Sequence, residues 1–256
     1  MKIRVIAFLM AALLMLCVFA GCKKDESTDS TDTTAAVSTA AETTPTLPEP
    51  TAAKEIDTND FDALISDVKN EMSAIKENSE DYDAAEGMSG IYEVLNSLQG
   101  ENTGSIGYVT TDMNGDEAPE LFIYLVDENA NGVCKGSRVL AGYTYSEGEY
   151  VLLFEGNSNN RYYFLNSGYI YNENASGPAY SSFAIYNLEG GAKELNVVEY
   201  YFTYPDYDET IRYYYNKTAE MDPDSSEEFT GTETDFFYIQ QTLSESIATR
   251  EITPLS

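Results

Sequence analysis

The sequence predicts an α+β fold with N-terminal helices, an antiparallel β meander and a C-terminal helix. Three observations carry this. Apolar residues recur at helical spacing up to Leu98 and again near the end of the chain. Between these stretches, short β-rich runs alternate with turn residues, and 19 of the 21 tyrosines lie from Tyr108 onward. The links between runs are short, so neighbouring strands must be antiparallel.

Residues 1–21 stand apart from that domain. Lys2 and Arg4 head an apolar run of 16 residues, Val5 to Ala20. That is short of the ~20 a spanning helix needs, and suits an export signal. The run closes on Ala20-Gly21-Cys22. This ending resembles the lipobox of bacterial lipoproteins, with Phe19 where leucine is usual. The resemblance implies cleavage before Cys22, a diacylglyceryl group on its sulfur, and a protein held at the extracellular face of the cell membrane. Val18-Phe19-Ala20 also reads as an ordinary cleavage site, which would leave Cys22 free.

Residues 22–55 read as a disordered tether. Asp25 to Glu55 holds 12 Ser/Thr in 31 residues, with Pro45, Pro48 and Pro50 and no aromatic. Such a stretch buries too little apolar surface to offset its ordering entropy. A coil of this length spans roughly 30 Å r.m.s., and about 110 Å fully extended.

The globular domain is predicted over 56–256. Phe61, Leu64, Ile65, Val68, Met72 and Ile75 form one helical stripe, with Asn59 a candidate N-cap. Met88, Ile91, Tyr92, Leu95 and Leu98 form a second, ended by Gly100. Strands are predicted at 106–111, 120–126, 138–145, 149–154, 161–165, 168–172, 180–188, 194–204 and 210–215. Asn131-Gly132 and Glu147-Gly148 mark tight hairpin turns. Phe236, Ile239, Leu243 and Ile247 share one face of a last helix, about 235–249, and Thr232 with Asp235 resembles a capping box.

Composition removes several chemistries. There is no histidine, which excludes Ser-His-Asp triads, Cys-His pairs and histidine-based zinc sites. Beyond the signal the chain has 12 Lys+Arg against 44 Asp+Glu, a net charge of 12 − 44 = −32. That field repels phosphate backbones and anionic lipid alike, so nucleic acid is excluded as a partner and membrane attachment falls to the lipid anchor. Past Cys22 only Cys134 remains, too few for an internal disulfide; with no histidine to pair with, it reads as an inert small apolar residue.

One segment carries recognisable chemistry. Residues 112–120 read DMNGDEAPE, placing side-chain oxygens at loop positions 1, 3, 5 and 9: Asp112, Asn114, Asp116 and Glu120. The Ala118 carbonyl, at position 7, can join them. Such an oxygen set suits Ca²⁺. It is not an EF-hand, because position 12 is Ile123 and position 6 is Glu117. The other reading is a bare turn in which Asp112, Asn114 and Asp116 bond their own backbone. Nearby, Asp127, Asn129 and Asn131 also alternate, but Lys135 holds the ninth position, which leaves a hairpin turn. Asp222, Asp224, Glu227 and Glu228 read as a solvated acidic loop.

With strand-like flanks, the 112–120 segment resembles the Asp-rich calcium hairpins of FG-GAP and similar β-repeat proteins. DMNGDEAPEL at 112–121 and GYTYSEG at 142–148 also resemble a segment of uncharacterised surface lipoproteins of Gram-positive bacteria. That resemblance implies a similar exported β-rich module and no particular activity. Alternating aromatics such as Tyr200, Phe202 and Tyr204, and the run Tyr213, Tyr214, Tyr215, place rings on both sheet faces, one of which could stack on sugars or peptides. The leading expectation is a membrane-anchored extracellular binding or interaction module, not an enzyme, stabilised by calcium and taking a glycan or peptide ligand. The alternatives are a carbohydrate-active enzyme using paired carboxylates and a purely structural envelope protein.

Overall fold

The computed structural model describes residues 61–77, 83–97, 106–177 and 179–255. The signal, the tether, Cys22, Asn59, Leu98 and Gly100 lie outside the described residues. Within them the protein is mostly antiparallel sheet, with thirteen strands and three helices.

The helices are α1 (Asp62–Glu77), α2 (Ser89–Ser97) and α3 (Glu233–Glu245). The strands are β1 (Ile106–Thr111), β2 (Glu120–Leu125), β3 (Glu128–Ala130), β4 (Val133–Gly136), β5 (Arg138–Ser146), β6 (Glu149–Glu155), β7 (Asn160–Phe164), β8 (Ile170–Ala175), β9 (Ser181–Asn187), β10 (Asn196–Pro205), β11 (Ile211–Asn216), β12 (Glu227–Glu228) and β13 (Arg250–Pro254). They lie side by side in the order β12-β11-β10-β9-β8-β7-β5-β2-β1-β13-β4-β3, with β6 also paired to β5.

The nine predicted strands all form. The meander departs from expectation in four short strands. The acidic stretch contributes β12, where Glu227 and Glu228 pair with Tyr215 and Tyr214. Residues 128–136 form the β3–β4 hairpin around Asn131-Gly132, both at positive φ. The chain also continues past α3, which ends at Glu245, into β13. This last strand pairs with β1 and β4, so the sheet closes on a strand from the far end of the chain.

β5 is the branch point. One edge pairs with β2. The other is shared: Arg138 and Val139 pair with β7, while Ala141 to Ser146 pair with β6. Val139 opposite Tyr162 and Arg138 opposite Tyr163 keep one continuous pair of faces across the branch.

The helices pack on one of those faces. Ile65, Val68, Met72 and Ile75 of α1, and Ile91 and Val94 of α2, bury against Ile106, Leu121, Ile123, Leu140 and Tyr143. Phe236 of α3 buries against Tyr171 and Phe183 of the same face. α3 begins in the anticipated capping box: Thr232 Oγ1 accepts the Asp235 N–H, and Asp235 Oδ2 accepts the Thr232 N–H.

The opposite face folds onto itself. Phe122 meets Phe164 edge-on at 4.7 Å between ring centres, and Phe154 stacks on Tyr162 at 4.4 Å. β2 therefore has core on both sides, which is why it reads ELFIYL with no polar alternation after its first residue. Cys134 is buried in this second core.

The tyrosine runs lie inside these layers. Tyr200 and Phe202 are buried on one face. Tyr201, on the other, stacks on Phe183 at 4.8 Å and meets Phe236 edge-on. Tyr204 and Tyr213 to Tyr215 are half-buried. At these positions α3 packs on one side, and Ala219 and Met221 of the segment after β11 pack on the other.

Candidate functional site

The 112–120 segment joins β1 to β2, which pair up to Thr111 opposite Glu120. Glu120 is the first residue of β2, and its side chain falls on the same face as Phe122 and Tyr124. It is therefore drawn beneath the loop and is fully buried. Its Oε2 accepts the Met113 N–H at 2.8 Å, and its Oε1 accepts the Asn114 amide at 3.2 Å.

The other acids organise the backbone above it. Asp112 accepts the Gly115 N–H at 2.7 Å and the Glu117 N–H at 3.0 Å. Asn114 Oδ1 accepts the Asp116 N–H at 3.0 Å, and Asp116 Oδ1 accepts the Ala118 N–H at 2.8 Å. These are the bonds of the bare-turn reading. Gly115 and Glu117 both have positive φ, 77° and 73°. A side chain at Glu117 holds that conformation at a cost of roughly 1–2 kcal/mol.

Electrostatics single out Glu120. Burial pushes its carboxyl up to about 7, and Asp116 and Asp112 add to the rise, against the lowering effect of the Met113 N–H. Three acids thus share one small region.

A second loop completes the region, one with no signal in the sequence beyond its glycine pair. The β9–β10 connection carries Gly190 and Gly191. The Gly191 N–H donates to Asp116 Oδ2 at 2.6 Å, and the Asn114 amide reaches the Glu189 carbonyl at 3.4 Å. A Cβ on Gly190 would stand 3.1 Å from the Asp116 Cβ, and Gly191 has φ 70°. Only chain without side chains approaches this closely in this shape. Lys193 of the same connection pairs with Glu147 of the β5–β6 turn.

Asp112, Asp116 and Glu120 are of the oxygen-donor type that a hard cation takes. Each carboxylate oxygen receives an N–H and keeps a lone pair. Asn114 turns its amide nitrogen, not its oxygen, toward Glu120, so a loaded loop needs that amide turned over. Among the described residues, no three His, Cys, Asp or Glu side chains are drawn close enough to hold a metal in the conformation described.

Among the described residues none stands out as a nucleophile. Burial raises the Tyr124, Tyr143 and Tyr171 phenols above their ordinary value, away from phenolate. Glu120 has the raised value of a general acid but no accessible surface for a substrate to reach. No helix of the described residues is long and apolar enough to cross a membrane.

No protein-family model matches the chain, nor does any curated protein or solved structure.

Proposed function

We propose that this chain is a membrane-anchored extracellular lipoprotein, its folded part an α+β binding or interaction module stabilised by Ca²⁺ at the 112–120 loop. The observation that supports the calcium reading is the burial of Glu120 beneath Asp112 and Asp116. Three acids in one loop repel one another, and a divalent cation held by Asp112, Asp116, Glu120, a reoriented Asn114 and the Ala118 carbonyl removes that repulsion. The anchor reading rests on Ala20-Gly21-Cys22 behind its apolar run.

Calcium is tested by melting the domain in EDTA and in millimolar Ca²⁺. Extracellular sites of this kind bind at roughly 10⁻⁴–10⁻³ M. A constant of about 0.1 mM at about 1 mM Ca²⁺ adds about 1.4 kcal/mol, or about 3–6 °C for a domain of this size. A melt indifferent to calcium leaves the bare turn. The anchor is tested separately: expressed in its host, Cys22→Ala loses partitioning into the detergent phase, and a variant that partitions like wild type refutes lipidation.

A further inference from the structure

We propose that a pocket between α3 and strands β7–β10 binds one neutral sugar ring, which gives the binding-module reading above, on which this rests, a ligand class and a place. The pocket encloses about 190 Å³. That is below the ~300–1,000 Å³ of sites for drug-sized ligands, and suits a single saturated ring.

Its lining divides in two. Phe183, Phe236 and Phe237 supply the apolar side; Arg161, Glu173 and Gln240 supply much of the polar side. Phe236 is buried, whereas Phe237 is 44% exposed. The Phe237 ring is nonetheless held, edge-on to Phe236 at 5.6 Å and to Tyr213 at 6.1 Å. A fixed, half-open aromatic ring beside a pocket is a stacking platform for the C–H face of a sugar.

The polar side is pre-set. Glu173 accepts from Arg161 Nη2 at 2.9 Å, Tyr171 Oη at 2.7 Å, Gln240 Nε2 at 3.4 Å and Ser244 Oγ at 3.4 Å. Arg161 Nε is buried and has no hydrogen-bond partner among the described residues. A donor and an acceptor stand side by side with their charges already cancelled. A cationic ligand finds Glu173 taken, and an anion meets a chain of net charge −30. A neutral ring can accept from Arg161 or Gln240 without disturbing that balance.

The test is saturation-transfer NMR on the full-length protein with millimolar glucose, galactose, mannose and N-acetylglucosamine, and N-acetyl-leucinamide as the peptide-like probe. At least one sugar is saturated by wild type. Phe237→Ala weakens that binding about tenfold, the worth of one aromatic contact. Phe237→Tyr, which keeps the ring, retains it. Tyr238→Ala, at the adjoining residue outside the lining, leaves it unchanged. The proposal is overturned if no sugar is saturated, if only N-acetyl-leucinamide is, or if Phe237→Ala melts and binds like wild type. A domain that binds sugar but ignores calcium, or the reverse, separates this inference from the metal reading.

Discussion

Asp116 and Gly191 lie 75 positions apart, yet the Gly191 N–H donates to Asp116 Oδ2 at 2.6 Å. In the sheet, β2 and β9 are separated by β5, β7 and β8. A flat sheet would hold their turns well apart, since each strand adds about 4.8 Å. The bond therefore registers the curl that brings the β1–β2 loop onto the β9–β10 connection.

Asp116→Ala should loosen that junction. It removes the acceptor for both Ala118 and Gly191, at a cost of about 1–2 kcal/mol. Hydrogen exchange will show faster exchange at those two amides, with strands remote from the junction little changed. Unchanged protection at Gly191 would mean that the contact does not persist in solution.

Glu120 predicts a pH dependence of definite sign. Its carboxyl rises from 4.5 to about 7 on folding, so between those values the folded chain keeps a proton that the unfolded chain has lost. Its contribution is most favourable below about 4.5 and is lost as pH rises through 7, by on the order of 3 kcal/mol in total. Denaturant titrations in EDTA at pH 5 and pH 8 will show the loss in wild type and much less of it in Glu120→Gln. If the two lose equally, another group is responsible. On the calcium reading, millimolar Ca²⁺ flattens the wild-type curve.

The capping box gives a smaller and cleaner number. Thr232→Ala removes the acceptor for the Asp235 N–H and costs about 1 kcal/mol. A lowered melting temperature with an unchanged far-ultraviolet spectrum is the expected outcome; wild-type stability would show that the box is dispensable to α3.

Phe236 is the anchor of α3, fully buried and touching Phe183, Tyr201, Tyr213 and Phe229. Phe236→Ala should cost about 3–5 kcal/mol and free α3 from the sheet. Chemical denaturation measures the loss, and a cost below about 1 kcal/mol would mean that the helix is held by other contacts.

Much of the β-rich character was legible because turns and periodicity are local signals. Glu147-Gly148 and Asn131-Gly132 adopt the positive φ that their residue types suggest. What could not be read were strands too short to show a period and a pairing made at a distance. β3, β4 and β12 are too short to show a period, and β13 is a strand only because β1 and β4 are there to receive it. The same limit applies to the site. The oxygen spacing of 112–120 was visible, whereas Gly190 and Gly191 became relevant only once the sheet curled. The aromatic runs show a related limit: alternation tells which residues share a face but not how far that face is covered, and here α3 packs on one side.

The placement of β13 imposes an order on folding. Thr111 ends β1 and Arg250 begins β13, 250 − 111 = 139 positions later. A chain made from its N-terminus holds β1 and β4 long before the strand that bridges them exists. Until then both present bare edges, open to wrong partners. Such long-range closure is slow, in the range of milliseconds to seconds for β proteins. The pairing that joins β1 to β4 therefore waits on the whole intervening chain, and a chain stopped before Arg250 lacks it.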